Sequence, residues 1–121
     1  MKVKIDTKEK MHVITLEEHK ITENMAGEIK ESLLKYLENP IQNVVVNFRN
    51  VEEIELAPAN ALVTVQQTFY EANHSMVFCN LQPPVLDFLD KKELLEIMNV
   101  TPTESEACDI VQMEEIEREY L

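Results

Sequence analysis

The stretch VEEIELAPANAL, residues 51–62, decides how this chain is read. Just upstream, Val44, Val45, Val46 and Phe48 form a near-continuous apolar run, the pattern of a strand covered on both faces. Just downstream, Ala61, Leu62, Val65, Phe69 and Ala72 fall on one helical stripe. A buried strand running through a short junction into a helix is the recurring joint of an α/β protein, and connecting loops are where sites usually sit. Yet the junction holds no Gly, Ser, Thr or Cys. The residue types that cradle phosphates or act as nucleophiles are missing from it.

Working outward from this joint, the rest of the chain supplies the partners that such a strand and helix need. Val3 and Ile5 alternate with charged neighbours and Met11 to Leu16 resume an extended pattern, so the first sixteen residues read as a hairpin. Thr22 begins a helix with Met25, Ile29, Leu33, Tyr36 and Leu37 on one face, and Asn39-Pro40 stops it. After the central strand, a helix is expected from about Pro58 to Ala72, then an Asn73-His74-Ser75 turn and a buried strand from Met76 to Cys79. Pro83-Pro84 opens a short helix with Val85, Phe88 and Leu89 inward. Residues 97–101 read as a last short strand. The closing helix, about Thr103 to Tyr120, places Ala107, Ile110, Met113, Ile116 and Tyr120 on one side and its carboxylates on the other. The order β-β-α-β-α-β-α-β-α defines an α/β fold. It predicts a mixed sheet of four to five strands, with an opening hairpin, a parallel centre and about four helices packed against it.

Composition narrows the class further. A chain of 121 residues with 45% hydrophobic content sustains one core, so residues 1–121 are taken as a single domain. The net charge of -12 disfavours nucleic acid and anionic lipid, which need clustered Lys and Arg. The acid concentrates at the end: residues 103–121 carry seven carboxylates against Arg118 alone. Cys79 and Cys108 lie far apart with no CxxC spacing, which favours a reducing cytoplasm over a disulfide framework or a zinc site. No signal-peptide core and no membrane-spanning run of about 18 apolar residues is seen, so a cytoplasmic protein without membrane insertion is expected. With one glycine in the chain, turns fall to Asn, Asp, Pro or Lys.

With these residues in view, the sequence resembles the STAS domain family, whose name joins sulfate transporters with anti-sigma factor antagonists. Bacterial antagonists of that family carry a pattern like V-x-x-I-D-S-S-G-L-x-x-L, and VEEIELAPANAL fits it without a gap, Val51, Ile54 and Leu62 taking the apolar positions. VFCNLQPPVLDFL, residues 77–89, resembles the family's strand, N-x-x-P and short helix, and MNVTPTESEA, residues 98–107, resembles its final strand and acidic helix start. Within the motif, Glu55 takes the aspartate position, Leu56 the first serine, Ala57 the serine that is phosphorylated in regulatory members, and Pro58 the glycine. Acidity is kept and the acceptor hydroxyl is lost.

Pro58 as the first helical residue predicts Ala57 at or near the N-cap, where alanine accepts no hydrogen bond and leaves helix N–H groups free. Glu55 and Asn60 are near enough in sequence to compensate partly, and Glu55 would repel an anion from the same spot. A protein partner therefore fits better than a phosphate. The resemblance implies a partner-binding corner formed by Glu55, Leu56, Ala57, Pro58, Asn60 and Ala61. Its partner would be an anti-sigma factor or a kinase-like regulator in bacterial partner switching, and no cofactor is required.

Other chemistry-bearing residues read as structural. Thr64 and Thr68 are expected to face solvent or bond back to the preceding turn. His12, His19 and His74 show no metal-binding spacing and are expected on the surface. Cys79 reads as a small buried hydrophobe, and no group is placed to make it a nucleophile, so neither a catalytic nor a metal site is expected. The acidic closing helix is a second candidate surface, open to a basic partner. The alternatives are a small-ligand-binding domain with a pocket at the helix start, or a structural subunit of a transport or sensory assembly; a homodimer is compatible with each.

Overall fold

Val44, Val45 and Val46 are wholly buried in the middle of the molecule, and the fold is arranged around them. A computed structural model describes residues 1–120. Its strands are β1 (Val3–Thr7), β2 (Met11–Leu16), β3 (Lys20–Ile21), β4 (Asn43–Asn47), β5 (Glu53–Ile54), β6 (Met76–Cys79) and β7 (Val100–Thr101). Its α-helices are α1 (Ala26–Leu34), α2 (Leu56–Glu71), α3 (Pro83–Lys91) and α4 (Glu104–Glu119). The main sheet has the order β1-β2-β4-β6-β7. The β1–β2 hairpin is antiparallel and the other pairings are parallel, which is the mixed sheet with a parallel centre expected from the sequence.

Alternation along the central strands divides the core in two, because successive side chains of a strand point to opposite faces. Ile14, Val44, Val46, Phe48, Met76 and Phe78 pack on one face with Ile29, Leu33, Leu62, Val65, Phe69, Val85 and Leu89 of the first three helices. Met11, Val13, Val45, Val77 and Cys79 meet Ala107 and Val111 of α4 on the other. Each fully buried valine is worth about 1.5–3 kcal/mol against exposure, and the apolar run at 44–46 is thus explained by helices on both sides.

Turns are made with almost no glycine. Asn73, Asn80 and Glu93 take left-handed backbone, with φ of 63°, 58° and 60°. Two of them end helices: past Asn73 the His74 N–H reaches back to Phe69 O at 2.8 Å, and past Glu93 the Leu94 N–H reaches Leu89 O at 2.9 Å. These are the 6→1 bonds of a Schellman cap. The use of a glutamate for that position was not foreseen from the sequence.

Two further expectations are corrected. His12 is buried rather than on the surface: Nδ1 bonds Thr7 Oγ1 at 2.8 Å, Nε2 accompanies Ile41 O at 2.9 Å, and the ring lies 4.7 Å from that of Tyr36. Its neighbours satisfy both nitrogens, which makes burial affordable.

The closing helix is turned differently from its apolar pattern. Ala107 and Val111 face the sheet, but so do Glu104, Glu114, Glu115 and Arg118, while Met113, Ile116 and Tyr120 are 58%, 55% and 82% exposed. The reason lies beneath the helix. Asn43 and Asn47 end the central strand, and Ser75 precedes β6 fully buried, so their polar atoms need partners. Asn43 Nδ2 donates to Glu115 Oε1 at 2.8 Å and Asn47 Nδ2 to Glu104 Oε1 at 3.0 Å. Ser75 Oγ and Tyr70 OH both donate to Glu114 Oε1, at 2.6 and 2.7 Å, and Arg118 Nη2 donates to Ser75 Oγ at 2.7 Å. Satisfying these groups outweighs seating three apolar side chains against a partly polar floor.

Candidate functional site: the corner before α2

The corner is held by a small second sheet. β3 and β5 pair in parallel, Lys20 with Glu53 and Ile21 with Ile54. Two residues each are too few for a periodic signal, so this sheet was not legible in the sequence. Val51, Ile54 and Ile21 are buried and anchor it, and the Glu55 N–H donates to Ile21 O at 2.9 Å. The start of α2 and that of the 3-10 turn Glu23–Met25, which leads into α1, are thereby set side by side.

The N-cap of α2 is Glu55, in extended backbone, and Leu56 is the first helical residue. Ala57 is therefore the second helical residue and Pro58 the third, which corrects the expectation that Ala57 caps the helix. Proline is tolerated there because the first turn has no intrahelical acceptor for its missing N–H. Nor is the Ala57 N–H left free: it donates to Glu23 Oε1 at 3.3 Å. Glu55 in turn leaves its own helix uncapped and reaches the other start, where its Oε1 accepts from the Glu23 N–H at 2.9 Å. Each carboxylate lies at the positive end of its neighbour's helix, a favourable placement. Sequence reasoning missed Glu23; its only signal was an acidic residue one position after Thr22.

Leu56 is 40% exposed, Asn60 is exposed, and Glu55, Ala57 and Ala61 are half-buried, whereas Pro58 and Ala59 are buried. Pro58 is thus no part of the corner's outer surface. Leu56, Ala57, Asn60, Ala61 and Thr64 form one continuous helical side. Thr64 and Thr68 bond back to Asn60 O and Thr64 O at 3.1 and 3.0 Å, as expected for helix-interior threonines. Just upstream in the chain Glu52 and Glu53 are exposed, the latter 3.2 Å from Lys20 Nζ.

Chemistry elsewhere is muted. Burial first, then the Glu104 carboxylate, push the Cys79 thiol up to about 12, so it stays protonated at neutral pH. His74 stands before β6 and Cys79 ends it, roughly 16 Å apart at strand rise, too far for a nucleophile and its base. Among the described residues no three His, Cys, Asp or Glu side chains are grouped to hold a metal ion. A cleft of about 490 Å³ lined by Leu81, Leu86, Leu95, Met98, Val100 and Pro102 opens between α3 and β7, and no corner residue lines it. Among the described residues no helix is long and apolar enough to cross a membrane.

Fold and corner together define a class: a mixed five-stranded sheet with helices on both faces and one exposed strand-to-helix corner beside a second helix start. The chain belongs to the STAS domain family, whose model matches residues 2–107. It is similar in structure to an anti-sigma factor antagonist from Mycobacterium paratuberculosis, with a TM-score of 0.78 at 12% identity over 92% of this chain and 93% of that one. The anti-sigma factor antagonist SpoIIAA in its unphosphorylated form matches with a TM-score of 0.72 at 15% identity, over 92% and 96% of the two chains. The phosphorylated form of SpoIIAA, a Bacillus cell fate determinant, gives 0.65 at 14% over 91% and 99%. The murine Slc26a9 anion transporter matches with 0.69 at 14% over 86% of this chain and 18% of that one. No curated protein sequence matches at a significant level.

Proposed function

We propose that this chain is a cytoplasmic protein-binding module of anti-sigma factor antagonist type, acting in partner switching through the corner of Glu55, Leu56, Ala57, Asn60 and Ala61 without catalysing a reaction. The observation that carries the reading is Leu56, a large apolar side chain 40% exposed at the entry of α2. Exposed apolar groups rimmed by polar ones mark contact surfaces. The similarity to antagonists solved in phosphorylated and unphosphorylated forms supports the class.

Ala57 stands where the family resemblance puts the phosphorylated serine, and a methyl group accepts no phosphate. Binding at this corner is then not switched by phosphorylation of residue 57. The measurement is calorimetric titration of a purified kinase-type or anti-sigma regulator encoded beside this chain, against wild type and Leu56→Glu. Saturable binding lost in the variant supports the reading; binding unaffected by Leu56→Glu removes the corner from it.

A further inference from the structure

The outward side of α4 is inverted relative to its inward side: Glu104, Glu114, Glu115 and Arg118 are spent on the sheet, and Met113, Ile116 and Tyr120 are given to solvent. Spaced three and four residues apart, those three side chains make one stripe. Glu106, Asp109, Glu117 and Glu119 surround it. Arg118, the one cation of the helix, is turned inward onto Ser75 and Glu115. Lys8 and Lys10 line a cleft with Gln112 of the helix, and Lys8 lies 3.6 Å from Asp6.

We infer that the outer face of α4 docks a basic amphipathic helix of a partner protein, whose apolar side covers Met113, Ile116 and Tyr120 and whose flanking lysines or arginines meet Glu106, Asp109, Glu117 and Glu119. Charge selects this occupant. A second copy of α4 laid on the stripe would set carboxylates against carboxylates with no cation of either helix between them, which is repulsive. A basic helix relieves that repulsion and buries the stripe in one step. The surface lies on the opposite side of the sheet from α2, so its test is independent of the corner.

The probe is a fluorescent helical peptide of about 18 residues, leucine on one face and lysine on both flanks, titrated into the full chain and read by anisotropy. A glutamate-flanked peptide of the same apolar face is the control. Wild type is expected to bind the lysine peptide and not the control, with affinity falling as salt rises. The triple variant Met113→Gln, Ile116→Gln, Tyr120→Gln keeps every charge and should bind roughly tenfold or more weakly. Glu106→Gln with Glu117→Gln should weaken binding and flatten its salt dependence. Unchanged binding by the triple variant, no binding by wild type, or a wild-type dimer in sedimentation that the triple variant dissociates would each overturn the inference, the last by making a second copy the occupant.

Discussion

Glu23 and Glu55 cap each other's helices. The Glu23 carboxylate takes the Ala57 N–H at 3.3 Å while the Glu55 carboxylate takes the Glu23 N–H at 2.9 Å, and the two residues are 32 apart in the chain. The corner that the family resemblance marks for phosphate is thus already furnished with two negative charges.

An added negative charge at position 57 should therefore be resisted by this pair. Ala57→Glu is expected to lower stability more in wild type than in a Glu23→Gln background, with a coupling of about 0.2–0.5 kcal/mol, the usual size of a like-charge pair on a helix. A double-mutant cycle in urea measures it. A coupling of zero would mean that Glu23 does not sense this position.

The clamp between β4 and α4 should be a larger contributor. Asn43→Ala leaves the buried Ser75 N–H, bonded to Asn43 Oδ1 at 2.8 Å, without its acceptor and frees Glu115. We expect a loss of about 1–3 kcal/mol, the cost of an unsatisfied buried group. Urea denaturation decides the point, and a loss within 0.5 kcal/mol, the ordinary range for surface changes, would show that water replaces the amide freely.

Glu93 is the residue that the backbone suits least. Its left-handed φ of 60° costs any side chain with a Cβ, so Glu93→Gly should stabilise the protein by roughly 0.5–1 kcal/mol despite the extra freedom that glycine gives the unfolded chain. A lower melting temperature for the variant would refute this.

Alkaline pH should weaken the fold through Tyr70. Burial first, then its hydrogen bond to Glu114 and the charge of that carboxylate, raise its phenol well above the ordinary value of 10.0. Below that value the phenol is neutral folded and unfolded alike, and its contribution is intact. As pH rises past it, the unfolded chain ionises first and stability falls. Melting curves between about pH 9 and 11 should show a smaller loss for Tyr70→Phe than for wild type.

Thiol reactivity should separate the two cysteines from any catalytic role. Cys79 is completely buried with its thiol pushed up to about 12, and burial, then Glu104, also raise that of the half-buried Cys108. Ellman's reagent at neutral pH is expected to label Cys108 slowly and Cys79 only on unfolding. Fast labelling of Cys79 in the native protein would contradict its burial.

The sequence by itself determined the order of the elements, the hairpin, the valine strand with helices on both faces and the position of the corner, because these depend on apolar periodicity over a few residues and on proline stops. It also exposed the absence of a hydroxyl at Ala57, a matter of composition at one site. Only the tertiary structure decided which way α4 turns and who caps α2. The apolar spacing sets Met113, Ile116 and Tyr120 inward with Ala107 and Ile110 until Asn43 meets Glu115, 72 residues away, and Ala57 looks uncapped until Glu23 arrives from 34 residues upstream. A helical pattern states that one side differs from another; the polar atoms waiting on the sheet choose which side is buried.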